Sequence, residues 1–391
     1  MRILDIREAA LPMRSDLRNS VFSFAEMTVS IVAVLTDRMV EGEPVIGYAF
    51  NSIGRYACGE PMRARFIPRL TQAPPDTLLD PDGYLDPAKA LRCMLVGEKP
   101  GGDAARAVPV GTIETALWDA VAKARRLPLA ELISRTWRQR PMEARVPCYV
   151  GGGWYKPDSK PGDVAEELQR HLDAGYTHMK IKVGGLSLAE DIGRVEEALK
   201  LLGGDPQRLS VDVNGRFSTA EALDYASALA PFNLRWFEEP CHPNDFQASA
   251  AIAAAYPGAL ATGENLFSPH DVWNQVRFGG WRADRDYLQM DPPQIYGIAT
   301  YANLVRDLAA DGWGHDRHFP HGGNQMSLAL VAGLGLGGCE AYPGFFGAFG
   351  GYADDCDVSN GSMPAPQRPG IGFEGQSRLH ALMREVAAGW I

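Results

Sequence analysis

The sequence predicts an α/β protein: a closed parallel β/α barrel preceded by an α+β unit. Three observations carry this. Eight short apolar runs, at 146–150, 177–183, 209–213, 234–238, 259–263, 286–290, 316–319 and 337–341, alternate with helical patterns. Three carboxylates, Asp212, Glu238 and Glu264, end consecutive runs at intervals of 26 residues. Before residue 140 the order is different, with strands first and helices after. An open doubly wound sheet is the rival. The even spacing favours the barrel, because closure turns the ends of consecutive strands toward one centre.

Residues 26–37 and 45–50 are rich in β-branched and aromatic side chains and read as strands. Helical patterns follow at 61–72, 87–96 and 110–126, the last with Ile113, Leu117, Ala120, Val121 and Ala124 at helical spacing. This unit is expected to span residues 1–140. The barrel is expected over 141–358, with Ser187-x-x-Glu190 and Ser218-x-x-Glu221 as capping boxes and Pro269 at a first helical position. Residues 359–391 are Pro/Gly-rich, then helical, and are expected to return onto the N-terminal unit.

A strand, a helix and two short loops fill about 26 residues, so the three carboxylates are expected side by side. Converging carboxylates repel one another unless a cation lies between them, and oxygen-only ligation suits Mg²⁺ better than zinc. The strand before Asp212 ends Lys180-Ile181-Lys182, and alternation puts both ammonium groups on one face. Two lysines toward a barrel centre are expected to lower at least one pKa and supply a free-amine base. Asp291 follows Glu264 by 27 residues and His321 follows Asp291 by 30, a pairing that can orient an imidazole. Glu340 ends the eighth run.

Two patterns are set aside. Gly333 to Gly338 spells GxGxxG without the strand–turn–helix context of a dinucleotide site. His315, His318 and His321 alternate sides if extended, with no cysteine in support of zinc. The six cysteines are scattered and read as reduced core residues. A net charge of −10 argues against nucleic acid and anionic membranes as partners. No apolar run suits a membrane span, and the charged N-terminus lacks a signal-peptide core. A cytoplasmic homo-oligomer is expected.

Taken together, Lys180-Ile-Lys182, Asp212-Val-Asn214-Gly, Glu238-Glu-Pro, Thr262-Gly-Glu264-Asn and the Asp291–His321 pair resemble the enolase superfamily, mandelate racemase subgroup. Within it, FNSIGRY (50–56), EKPGG (98–102), ATGENLFS (261–268) and RPGIGFEG (368–375) are most similar to D-tartrate dehydratases. The resemblance implies a modified (β/α)7β TIM barrel with an N-terminal capping domain, and one Mg²⁺ per subunit on Asp212, Glu238 and Glu264. It implies Lys182 as the base that removes a proton α to a carboxylate, and His321, oriented by Asp291, as the acid. Asn51, Lys99, Lys180, Asn214 and Glu340 become substrate contacts. The implied reaction is dehydration of a small anionic hydroxy acid, tartrate to oxaloacetate. A racemase or epimerase with Lys182 and His321 as opposed bases is the alternative, and a non-catalytic metal-binding homologue the third reading. Departures at 240–245, 292–294 and Asn324 lie at or beyond strand ends, where they bear on substrate choice.

Overall fold

A computed structural model describes residues 1–155 and 162–390. The N-terminal sheet is antiparallel in the order β1 (Ile3–Pro12), β2 (Thr28–Val40), β3 (Glu43–Phe50). The sequence reading places no strand at β1, since Asp5, Arg7 and Glu8 interrupt its apolar pattern. Pairing with β2 decides it, from Ile3 opposite Thr36 to Pro12 opposite Thr28. The 61–72 region is broken into short helical turns between Gly59 and Thr71, including a wider π-type turn at Met62–Phe66.

The long helix Ala104–Ala124 packs on β3 at Gly47, where any Cβ would run into the carbonyl of Ala116. The same helix reaches the second sheet. Glu114 accepts from the backbone N–H groups of Ile298 (2.8 Å) and Ala299 (3.0 Å), satisfying donors that open the helix Ile298–Ala310.

The larger sheet is parallel and curled: β4 (Arg145–Gly152), β5 (Met179–Lys182), β6 (Leu209–Asp212), β7 (Trp236–Glu238), β8 (Leu260–Thr262), β9 (Tyr287–Leu288) and β10 (Cys339–Ala341), in the order β10-β4-β5-β6-β7-β8-β9. The curl brings Phe319, beyond β9, to a ring-centroid distance of 6.3 Å from Tyr149 of β4. Trp236 fills the space between them, 5.1 Å from Tyr149 and 5.4 Å from Phe319.

The expected strand at 316–319 is a correction. A turn at His315–Arg317 is followed by one bridge, Leu288 to His318, with Phe319 N–H donating to Leu288 at 2.9 Å. Pro320 has no N–H to continue a ladder. Gly337 N–H then donates to the His318 carbonyl at 3.1 Å, so this part of the curl rests on single bonds rather than a strand.

The helices between strands begin where their caps predict. Ser187 and Ser218 form complete capping boxes with Glu190 and Glu221. Ser268 accepts from Asp271 N–H at 3.2 Å with Pro269 in the first turn. Beyond β10, a short strand β11 (Ser362–Pro364) that the sequence reading lacks pairs antiparallel with β4. Farther on, Ile371 N–H donates to Asp119 at 2.6 Å and Glu374 pairs with Lys123 at 2.7 Å, both on the long N-terminal helix. Among the described residues no helix is long and apolar enough to cross a membrane.

Candidate active site

Strand register explains the 26-residue interval. Lys182 is paired with Asp212 across β5–β6, and Asp212 with Glu238 across β6–β7. Glu264 follows β8 by two residues. Each of the three carboxylates offers an oxygen, and these atoms all lie within 4.8 Å of one another. Among the described residues this is the one such group of His, Cys, Asp or Glu side chains. Asp212 and Glu238 are buried and Glu264 is partly open.

Both lysines point into this cluster, as period-2 alternation predicts. Lys180 Nζ lies 2.5 Å from Glu238 Oε1, 2.8 Å from Glu340 Oε1 and 3.4 Å from Asp212 Oδ2. Lys182 Nζ is in close contact with Asp212 Oδ2 and stands 4.8 Å from the centre of the Trp154 ring. The expectation of a lowered lysine pKa does not hold for Lys180. Burial opposes its charge, but Glu238 and Glu340 outweigh that and hold it well above the ordinary value. Burial likewise works against ionised Asp212, and Lys182 and Lys180 override it to keep that carboxyl below its usual range. Glu238 goes the other way. Burial, with Asp212 and Glu340 adding to it against the pull of Lys180, lifts it to about 8.

Three buried carboxylates, Asp212, Glu238 and Glu340, therefore share two ammonium groups. The donor set is all oxygen, Glu238 is short of compensating charge, and the Oδ1 of Asn214, whose N–H groups bond Asp212, has no partner. These features fit a hard divalent cation on Asp212, Glu238 and Glu264.

On the far side of the cluster, His321 Nδ1 lies 2.8 Å from Asp291 Oδ2 and Nε2 lies 3.4 Å from Glu264 Oε2. Burial lowers the His321 pKa, but Glu264 and Asp291 raise it to a net value of about 9. Glu340 completes the ring, bonded to Lys180, to Tyr342 Oη (2.6 Å) and to Gly322 N–H (3.2 Å).

The structure gathers Lys180, Lys182, Asp212, Asn214, Glu238, Glu264, Asp291, His321 and Glu340. Asn214 uses its N–H on Asp212 Oδ1 at 2.8 Å and so orients that carboxylate. Two expected contacts are not gathered. Asn51 is buried, but its amide is spent on backbone: Oδ1 accepts from Ser30 N–H (2.9 Å) and Nδ2 donates to the Tyr56 carbonyl (3.0 Å). It shapes the 51–56 loop instead of facing the cluster. Lys99 is exposed, and its described contact is a backbone one, its carbonyl accepting from Arg106.

Four contributors went unnoticed in the sequence. Ser52, next to Asn51, donates to Asp291 Oδ2 at 2.6 Å. Gln289, on the β9 run, donates to Glu238 Oε2 at 2.8 Å. Glu239 accepts from Asn265 Nδ2 at 2.6 Å, and Asn265 contacts Arg55. Ser52, Glu239 and Asn265 lie inside motifs already singled out and Gln289 inside the 286–290 run, which is the only local signal any of them has.

Residues 163–378 match the family model described as enolase C-terminal domain-like, and that span holds the cluster from Lys180 to Glu340. The chain belongs to the enolase superfamily. Superfamily relatives include the 3,6-anhydro-α-L-galactonate cycloisomerase of Streptomyces coelicolor, 31% identical over 283 residues that are 71% of this chain and 73% of that enzyme. The L-talarate/galactarate dehydratase of Salmonella typhimurium is 30% identical over 269 residues, 68% of this chain and 62% of that enzyme. In three dimensions the chain is similar to a racemase from Streptomyces coelicolor with bound magnesium, with a TM-score of 0.76 at 25% identity over 96% of this chain and 99% of the other. The Salmonella dehydratase, solved with magnesium and L-lyxarohydroxamate, gives 0.74 at 25% identity over 95% and 90%. These relatives are thus a sugar-acid dehydratase, a cycloisomerase and a racemase, and none of the three names includes tartrate.

Proposed function

We propose that this member of the enolase superfamily catalyses the Mg²⁺-dependent dehydration of a small hydroxy acid, with tartrate going to oxaloacetate as the specific reaction. One observation carries the reaction class: the carboxylate cluster is flanked by two different proton carriers, Lys182 against Asp212 and His321 against Glu264. A lone base would serve exchange; an amine on one side and a carboxylate-backed imidazolium on the other suit removal and delivery of a proton.

Asp212, Glu238 and Glu264 would hold the cation, which supplies positive charge to a substrate carboxylate as its α-proton is lost. Lys182, as free amine, takes that proton on Nζ. The electron pair left behind spreads into the carboxylate as an enediolate, near the ammonium of Lys180. His321 gives its Nε2 proton to the β-hydroxyl, the C–O bond breaks and water leaves. The enol that remains ketonises to a 2-keto acid. Residues 1–140 act in this reading as the cap, 141–358 as the catalytic barrel and 359–391 as the returning tail.

The choice of tartrate rests on the similarity of the FNSIGRY, ATGENLFS and RPGIGFEG stretches, and the engaged amide of Asn51 and the exposed Lys99 do not add to it. The test is a substrate panel. Purified protein with Mg²⁺ is offered the three tartrate stereoisomers, talarate, galactarate and common aldonates, and 2-keto acid is scored. Turnover of one tartrate isomer supports the full reading. Turnover of a longer acid alone removes tartrate and keeps dehydration, and stereoinversion without keto acid replaces both with racemisation.

A further inference from the structure

The hydrogen bonds around Asp291 extend out of the curled sheet and into the N-terminal unit. Asp291 Oδ2 lies 2.8 Å from His321 Nδ1, accepts the Ser52 hydroxyl at 2.6 Å and lies 3.3 Å from Gln294 Nε2. Ser52 Oγ accepts in turn from Asn324 Nδ2 at 3.2 Å. Asn324 is itself anchored, because its Oδ1 caps the helix Gln325–Leu334 through Met326 and Ser327 N–H. Ser52, Asp291 and Asn324 are buried.

The fit is close. A Cβ on Gly322, whose φ of +113° already favours glycine, would stand 2.7 Å from both Ser52 Oγ and Asn324 Nδ2 and 3.0 Å from Asp291 Oδ2. Ser52 has a φ of +63°, left-handed backbone that a non-glycine residue adopts only at a cost. Asn51 holds the loop in that shape through its bonds to Ser30 and Tyr56. A strained residue, carried by a loop of the other unit, thus delivers a hydroxyl to one oxygen of a buried carboxylate, while Asp291 Oδ1 has no partner.

We propose that Ser52 is a positioning residue for the acid step. Its hydroxyl fixes the rotation of the Asp291 carboxyl so that Oδ2 faces His321 Nδ1, which holds the imidazole with Nε2 toward the leaving hydroxyl. Without it the longer Gln294 bond alone is left to hold Oδ2 in place beside the imidazole, and the ring loses its fixed orientation. The proposal rests on the dehydratase reading and adds a division to it: Lys182 needs nothing from Ser52, so proton removal and water loss respond differently to its hydroxyl.

The test uses Ser52→Gly, which is at ease at φ +63° and removes only the hydroxymethyl group, with Ser52→Ala as a second variant. With Mg²⁺ and tartrate in D₂O, ¹H NMR follows α-proton exchange and keto-acid formation. The expected result is dehydration lower by about 10–100-fold, the usual effect of losing a partner behind a metal-site or catalytic group, with exchange and Tm kept. Dehydration at the wild-type rate in both variants overturns the proposal, as does an equal fall in exchange and dehydration. The low-field ¹H resonance of the His321 Nδ1 proton separates this from the parent reading, because it needs no turnover. If the wild type fails to dehydrate tartrate, a resonance that still shifts in Ser52→Gly upholds the positioning role, and an unmoved one removes it.

Discussion

Lys180 Nζ lies 2.5 Å from Glu238 Oε1 in the middle of the carboxylate cluster. This pair is buried, and Glu340 and Asp212 share the same ammonium. Removing one partner of a buried ion pair costs about 3–5 kcal/mol, because the remaining charge is left uncompensated. Lys180→Ala is therefore expected to lower the Tm of metal-free protein. Added Mg²⁺ should restore more stability to the variant than to the wild type, since cation and ammonium neutralise the same carboxylates. Thermal melts with EDTA and with Mg²⁺ check this; equal Mg²⁺ shifts in both proteins would contradict it.

Stability should fall with acid through histidines that are not members of that cluster. Burial, with the charge of His315, lowers the His318 pKa to about 3, and burial with Arg170 lowers His171 to about 4. A histidine with a depressed folded pKa contributes stability that is present above the unfolded value of about 6.5 and is lost as pH falls toward the folded value. His318→Leu should flatten this dependence by one proton. Between pH 7 and 5 the gap between variant and wild type should change by roughly 2 kcal/mol, at about 1.4 kcal/mol per pH unit. Urea denaturation of both proteins across that range measures it, and parallel curves would refute the assignment.

The contact between the N-terminal helix and the turn after Asp291 leaves no room for a methyl group. A Cβ on Gly111 would overlap the Pro293 carbonyl and stand 2.7 Å from Gly297 N. In an isolated helix Gly→Ala is stabilising, but here overpacking should reverse the sign, with a loss of about 1–3 kcal/mol. The displaced turn begins at Pro292, directly beside Asp291, so kcat should fall along with Tm. A Gly111→Ala protein with unchanged Tm would show that the turn yields at no cost.

How much of this was legible depended on range. The 26-residue interval reports the βα repeat directly, and the register of Lys182, Asp212 and Glu238 is its structural counterpart. Capping boxes are equally local, and both formed. Ser52 and Asp291, by contrast, are 239 residues apart, and no periodicity links a loop of one unit to a strand end of the other. Asn51 came from the resemblance rather than from spacing; in the fold its amide bonds Ser30 and Tyr56, and it is the neighbouring Ser52 that reaches Asp291. β1 was hidden by its charges and β11 by its brevity, since each is defined by its partner strand. At 316–319 the apolar pattern suited a strand, and Pro320 limited it to one bridge.

The division of labour between Lys182 and His321 is the central claim, and proton exchange tests it most directly. Wild type, Lys182→Ala and His321→Asn are each incubated in D₂O with Mg²⁺ and the acid that the wild type turns over in the substrate panel, and ¹H NMR follows the α-position. The account predicts keto acid from the wild type, exchange without keto acid from His321→Asn, and neither from Lys182→Ala. Exchange at the wild-type rate in Lys182→Ala would contradict it.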